Sequence, residues 1–349
     1  MALACRPLDQ AAIPAWDAFV RAHPQGTFFH LAAWAGVIER TFGHTAHHVL
    51  AERDGAVVGV LPLVHVRTRL FGNALVSTPF CVYGGPLAAD GETAAALTAH
   101  AVALQKRTGA AVTEFRYLHP PAEDWLDDAA WPGKTDLYVT FRKPVGADDD
   151  ANLKAIPRKQ RAMVRKGIER GLRSVANADV DGLHRIYAES VRNLGTPVVP
   201  RRYFRTLAEA FGNAMDVVTV LDGDSAVASV LNFYWRDEVL PYYGGGTAAA
   251  RGVAANDFMY WEVMRRAAAR GVGLFDFGRS KAGTGAFSFK KNWGFAPTPL
   301  HHRFHLTPGA AIPELNPLNP KYRLFIAAWK RLPLPVANLL GPPIVRGLG

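Results

Sequence analysis

The sequence predicts an α/β (α+β) chain made of two similar lobes. Three observations predict it. The chain has 349 residues, a length that favours two domains over one. Apolar types make up 49% and charged types 20%, a globular composition that excludes disordered, collagen-like and coiled-coil chains. The third is an ordered set of short segments that occurs twice in the chain.

Each copy reads helix, hairpin, strand, helix, strand. A helix ending at Phe42-Gly43 has its counterpart at Phe211-Gly212. RDGAVVGVLPLV carries a hairpin turn at Asp54-Gly55, matched by Asp222-Gly223 in LDGDSAVASVLNFYW. Tyr83-Gly84-Gly85 returns as Tyr243-Gly244-Gly245. An Ala-rich helix from Glu92 to Lys106 answers one from Ala254 to Arg270, and Gly109 and Gly271 supply left-handed stops. VTEFR and LFDFG follow as short strands, each with one acid, Glu114 and Asp276. The repeat predicts lobes at 1–145 and 155–305, joined by a linker at 146–154 that the acidic run KPVGADDD introduces. A cleft between two lobes is a favoured ligand site. Residues 306–349 form a Pro-rich tail. Within it KYRLFIAAWKRL (321–332) reads as an amphipathic helix, with Tyr322, Phe325, Ile326 and Trp329 at i, i+3, i+4, i+7. That stripe either packs on the protein's own core or adsorbs to an anionic membrane.

Several classes are disfavoured. Cys5 and Cys81 are the only cysteines, too few for a disulfide framework or a cysteine zinc site, and this fits a reducing cytoplasm. Arg6 and Asp9 interrupt the first segment, so a secretory signal is not expected. No stretch approaches the roughly 18 apolar residues of a spanning helix. The expected location is cytoplasmic, with peripheral contact at the inner membrane. His44 and His48 lack an HExxH frame, and His301, His302 and His305 lie on a strand whose side chains alternate, so no metal is expected. No GxSxG elbow, Walker A loop, RRM, KH or zinc-finger signature occurs.

Charge is divided unevenly. Forty basic against thirty acidic side chains give +10. Residues 1–150 hold 12 basic and 16 acidic side chains (net −4), and residues 151–349 hold 28 and 14 (net +14). The second half therefore suits an anionic partner. Its densest cluster is RKQRAMVRKGIERGL, a basic helix on which Arg158, Arg161, Arg165 and Lys166 share a face. Ile156, Met163, Ile168 and Leu172 are its expected apolar stripe. The basic face is either solvated or phosphate-facing. Repulsion at this density favours the second.

FDFGRSKAGTGAFSFKKNWGF (275–295) carries the most chemistry. A strand delivers Asp276 to a Gly-rich turn whose backbone N–H groups can cradle an anion, with Arg279 and Lys281 to neutralise it. Phe289, Lys290 and Trp293 follow. A lysine among aromatic residues is either a snorkelling surface group or a positioned cation. Tyr242 and Tyr243, beside three glycines, are hydrogen-bond donors or strand-end packing.

These segments, with PYYGGG and ANDFMYWEVMRRAAARG, resemble the GNAT-like acyltransferase domain of Fem-type (FemAB-related) proteins. LGTPVVP (194–200) and WKRLPLPVANLLGP resemble the subgroup associated with exosortase (PEP-CTERM) systems. The resemblance implies two tandem GNAT-like lobes with mixed central sheets, the first lobe on the acceptor side. It implies transfer of an acyl or aminoacyl group to an amine on a cell-envelope, peptidoglycan or exopolysaccharide precursor. The donor is acyl-CoA or aminoacyl-tRNA, a co-substrate rather than a covalently bound cofactor. The family's Phe-Lys pair maps onto Phe289-Lys290, where the lysine stabilises the transferring group. Arg158, Arg161, Arg165, Lys166, Arg279, Lys281 and Phe289 are then expected at the donor, and Asp276 and Tyr243 join Lys290 as catalytic candidates. Asp276 accepts the amine proton or pairs with Arg279. Tyr83, Glu114, Arg116 and Tyr242 are expected on the acceptor side. No helical-hairpin arm of the kind seen in some tRNA-using members occurs, and TAAARGVAAND replaces the Gly-rich pyrophosphate loop of ordinary acetyl-CoA enzymes. The competing class is a non-catalytic basic adaptor for RNA or anionic membrane lipid.

Overall fold

The computed structural model describes residues 3–68, 72–122, 125–135, 137–313 and 322–349. The chain divides into two compact units. The first takes in Met1–Leu137, Pro299–Leu315 and Arg346–Gly349, and the second Tyr138–Thr298 and Asn316–Val345.

Unit 1 has helices α1 (Ile13–Ala22), α2 (Ala33–Phe42) and α3 (Gly91–Thr108) and two sheets. One sheet has the order β1 (Ala4–Pro7), β3 (Val49–Arg53), β4 (Ala56–Leu61), β7 (Leu87–Ala88). The other runs β2 (Thr45–Ala46), β5 (Val64–Thr68), β6 (Gly72–Val76), β8 (Val112–Tyr117), β17 (His301–Leu306), β9 (Gly133–Lys134). The expected hairpin at Asp54-Gly55 forms, with both residues at positive φ, the geometry that matches strand twist. Gly43 and Gly109 end α2 and α3 in the left-handed conformation, and Asp90 caps α3 by accepting from the Thr93 N–H at 2.8 Å. Leu97, Ala101 and Leu104 of α3 pack on Leu61, Leu75 and Phe115 of the strands.

Unit 2 has one sheet of order β11 (Arg173–Asn177), β12 (Met215–Asp222), β13 (Ser225–Trp235), β14 (Glu238–Gly246), β15 (Leu274–Asp276), β10 (Tyr138–Pro144), β16 (Ser280–Lys281). Neighbours are antiparallel except β14 and β15, which are parallel. Its helices are α4 (Asp149–Ala155), α5 (Arg158–Glu169), α6 (Val180–Leu194), α7 (Arg201–Phe211), α8 (Ala255–Ala269), α9 (Gly285–Asn292), α10 (Arg323–Trp329) and α11 (Leu334–Val345). Both Val217 and Val218 of β12 are fully buried, so both sheet faces are covered. Helix α8 packs Met259, Val263 and Ala267 against Val218, Val220 and Val230, while α6 lies on β13 and β14.

The units differ from the lobes expected at 1–145 and 155–305. Strand β10 lies in the expected first lobe, yet it pairs with β15 and β16 of unit 2. Strand β17 lies in the expected second lobe, yet it pairs with β8 and β9 of unit 1. Pairing of strands this far apart leaves no local pattern in sequence. The tripeptide repeat also parts company. Tyr243–Gly245 is inside β14, whereas Tyr83–Gly85 lies outside any strand, and the parallel neighbour of β8 is β6. The basic helix forms over α5. Of the expected stripe, Ile156 and Leu172 at its two ends are buried and Ile168 is exposed, while the helix itself buries Gln160, Val164 and Gly167. A Cβ on Gly167 would stand 2.8 Å from Phe258 Cβ, so the small residue lets α5 seat directly on α8.

Candidate active site

The site is built where β14 leaves β15. The two pair only at Glu238–Leu274 and Val239–Phe275, while β14 continues to Gly246. A register shift against β13 makes Tyr242 an extra residue, between the pairs Asn232–Pro241 and Leu231–Tyr243. A bulge bends a strand and re-aims its side chains, and Pro241 has no N–H to continue a ladder. The far half of β14 is thus free of β15. Its glycines admit close neighbours instead. A Cβ on Gly245 would lie 2.5 Å from Ser190 of α6, and one on Gly244 would lie 3.0 Å from the Tyr260 hydroxyl of α8.

Aromatic rings line this half strand. The Tyr243 hydroxyl is 2.9 Å from that of Tyr203, and its ring meets Tyr187, Phe204 and Tyr242 edge-on. Tyr260 reaches from Gly244 to Phe277, Phe289 and Trp293. Burial, reinforced by Asp257, pushes its phenol up to about 12, so it stays a hydrogen-bond donor at neutral pH.

At the end of β15, Asp276 is fully buried. One carboxylate oxygen accepts from the Gly278 N–H at 2.7 Å and from Thr140 Oγ1 at 3.3 Å, and the other is 3.3 Å from Arg142 Nε. Arg142 also binds Glu238. These bonds shape the turn at Gly278. Strand β16 then returns to β10, and Thr284 caps α9 by accepting from the Phe287 N–H. Helix α9 brings Lys290 back over the turn, where Nζ donates to the carbonyls of Gly278 (2.9 Å) and Arg279 (3.0 Å). The Phe141 ring lies 5.8 Å away. Among the described residues Lys290 has no ion-pair partner within contact distance. Burial, with Arg279 adding to it against the pull of Asp276, pushes Lys290 down to about 7.

The basic groups take two positions. Arg279 and Lys281 stand 4.6 and 5.4 Å from the ring centre of Tyr138. Arg158, Arg165 and Lys166 are exposed on α5, and Arg161 is half-buried with one N–H on the Lys154 carbonyl. Helix α5 starts where α9 ends, since a Cβ on Gly294 would touch Pro157 at 2.9 Å. Beneath it, Gln160 and Trp293 both donate to Asp257 Oδ1, a buried joint of α5, α9 and α8.

Sequence candidates therefore separate into three groups. Lys290, Arg279 and Lys281 surround one turn, and α5 begins against Gly294 just past α9. Asp276 pairs with Arg142 rather than Arg279, and with its oxygens engaged it holds the turn. Phe289 packs with Tyr260, Phe277 and Trp293, on the core rather than among the basic groups. The third group is in unit 1. Tyr83 is buried with its ring on Phe29, and Glu114 sits between Arg116 and His302. Burial pushes Glu114 up, but Arg116 and His302 outweigh it and hold the carboxyl well below its usual range. Arg116 also donates to the carbonyls of Cys81 and Gly349. Tyr138, Arg142 and Tyr260 were missed. Tyr260 lies inside the quoted ANDFMYWEV helix, but nothing near Arg142 marks it. Ser280 Oγ and Asn256 Oδ1, also missed, are buried without a hydrogen-bond partner among the described residues. Among the described residues no group of three or more His, Cys, Asp or Glu side chains is placed to hold a metal ion.

Residues 154–291 match the family model of the acetyltransferase (GNAT) domain. The match runs from α4 to α9 and takes in Lys290. Among solved structures, the chain is similar to the crystal structure of FemX, with a TM-score of 0.66 at 17% identity, covering 93% of this chain and all of that one. It is also similar to the C-terminal domain of a putative lysylphosphatidylglycerol synthetase from Agrobacterium fabrum (TM-score 0.57, 12% identity, 85% of this chain and 92% of that one). A tandem GNAT protein from the clavulanic acid biosynthesis pathway gives a TM-score of 0.55 at 14% identity, covering 89% of this chain and 100% of that one. At these identities the likeness is one of fold. No curated protein matches the chain. The domain match and the fold together support an acyltransferase.

Proposed function

We propose that this protein is an N-acyltransferase that moves an acyl or aminoacyl group from an activated, phosphate-bearing donor to an amine. The observation that carries the reading is Lys290. The GNAT match extends over α9, and there a lysine with two N–H groups fixed on main-chain carbonyls stands over the turn that also carries Arg279 and Lys281.

The amine nitrogen attacks the donor carbonyl carbon. A C–N bond forms and the carbonyl oxygen takes up negative charge. The third N–H of Lys290 faces that oxygen, in a site already built to receive it. The oxyanion then collapses, the bond to the leaving sulfur or oxygen breaks, and the proton lost by the amine ends on the leaving group. Tyr243 and Tyr260 donate hydrogen bonds along the way. Arg279, Lys281, Arg158, Arg161, Arg165 and Lys166 hold the donor's phosphates as charge-assisted donors. A GNAT domain points to acyl-CoA as donor, and aminoacyl-tRNA is the second choice. On the resemblance to the exosortase-associated subgroup, the acceptor is a cell-envelope, peptidoglycan or exopolysaccharide precursor.

Thermal shift against CoA, acyl-CoA and aminoacyl-tRNA ranks the donors, since a ligand of the folded state raises the midpoint. Mass spectrometry of the acylated amine then reads turnover. Lys290→Ala should lose about 10²–10³-fold in rate, the cost of one oxyanion donor, at an unchanged circular dichroism spectrum. Full turnover in that variant would remove Lys290 from the chemistry.

A further inference from the structure

Helix α11 departs from what a surface helix should be. Leu332 to Val345 contains no charged side chain. Ala337, Gly341 and Val345 are buried, and Gly341 seats directly on Val198. Yet Val336, Leu339, Leu340 and Pro343, spaced i, i+3, i+4, i+7, are all exposed. A helix that is apolar on every side is normally enclosed, and this one has solvent on one flank.

The exposure is concentrated. Of ten exposed large apolar side chains among the described residues, six are Leu194, Leu324, Phe325, Val336, Leu339 and Leu340. Leu324 is 85% and Leu339 75% exposed. They belong to one neighbourhood of unit 2. Helix α10 joins α11 through residues 330–333, Ile326 of α10 packs against Gly195 beside Leu194, and α11 packs on α6. The stripe expected for α10 divides, with Trp329 buried and Ile326 on Gly195 but Phe325 exposed. It is Leu324 and Phe325 that reach outward.

The surrounding charge is of one sign. Residues 322–349 carry Arg323, Lys330, Arg331 and Arg346 and no acid. Arg192 of α6 donates to the carbonyls of Lys330 and Leu332. The acids of α6 are engaged elsewhere, Asp181 by Arg201 and Arg205, and Glu189 by the Ala248 N–H. A second copy of this surface would bring like charges together. An anionic lipid surface meets both features at once, taking leucines below the headgroups and cations at the phosphates.

We infer that α10 and α11 dock unit 2 on an anionic membrane surface, with Leu324, Phe325, Leu339 and Leu340 inserted and Arg323, Lys330 and Arg331 at the headgroups. This stands apart from the acyl-transfer reading, because no residue of the candidate active site takes part.

The test is co-sedimentation of the full chain with vesicles of phosphatidylcholine containing 30% phosphatidylglycerol, and with phosphatidylcholine alone, alongside light scattering without lipid. Binding to the anionic vesicles only, weakened by salt, is expected. Arg323→Gln, Lys330→Gln and Arg331→Gln should each weaken it about five-fold. Leu339→Ser with Leu340→Ser should abolish it while the thermal midpoint stays put, since both side chains are already exposed. No binding to either vesicle, or equal binding to both, would overturn the inference. So would a dimer in lipid-free solution that the leucine substitutions dissociate.

Discussion

At the scale of single residues, Lys290 carries a charge that the fold resists. Its ordinary value of 10.5 falls to about 7 in the folded chain. A lysine depressed in this way costs stability when charged. Stability contributed at Lys290 is full above the unfolded value of 10.5 and is lost as pH falls toward 7, below which the loss is constant. Lys290→Met should therefore melt higher than wild type at pH 6, with the gap closing as pH approaches 10. Melting curves at both pH values check this. Transfer in the wild type should fall as pH rises through about 7, and Lys290→Arg, which cannot lose its proton in that range, should lack that limb in a kcat profile. Glu114 follows the opposite rule. Arg116 and His302 hold its carboxyl below the unfolded value, so its contribution is complete above pH 4.5 and declines in acid. Glu114→Gln leaves buried Arg116 short of a countercharge and should cost about 3 kcal/mol in denaturant unfolding.

At the scale of elements, α5 shows two faces with separate duties. Gly167 sits 2.8 Å from Phe258 when a Cβ is added, so Gly167→Val should overpack the contact with α8 and cost about 1–3 kcal/mol. The outer face answers differently. Arg158→Glu, Arg161→Glu and Arg165→Glu together should weaken donor binding in calorimetry while the midpoint moves little. Elements of this kind were legible in sequence where local chemistry sets them. Asp54-Gly55 demanded a tight hairpin, and Gly43 and Gly109 a helix stop. What stayed hidden was the part that Gln160 and Gly167 take in the packed side of α5, because neither carries a hydrophobic signal. The partners of Lys290 stayed hidden as well. They are main-chain carbonyls, and every residue has one. Arg142 reaches Asp276 across 134 positions of sequence, and no spacing rule spans that distance.

At the scale of the whole molecule, the duplicated plan was visible from recurring turns, but its boundaries were not. Strands β10 and β17 each serve the unit whose other strands lie elsewhere in the chain. A fragment of residues 1–145 would keep β8 and lose β17, and with it buried His302 and Phe304. It should show no cooperative melt, whereas the full chain should. Returning residues 299–315 as a separate peptide should restore structure measurably by circular dichroism.

The same crossing has a consequence for the order in which this protein is made. Strand β8 leaves the ribosome well before its neighbour β17, with the residues after Tyr117 and before His301 still to be translated. At roughly 5–20 residues per second that interval is on the order of ten to thirty-five seconds. For that time the sheet that holds β8 has an open edge in the crowded cell. Until β17 arrives, that edge offers unpaired main-chain groups to any other strand that meets it.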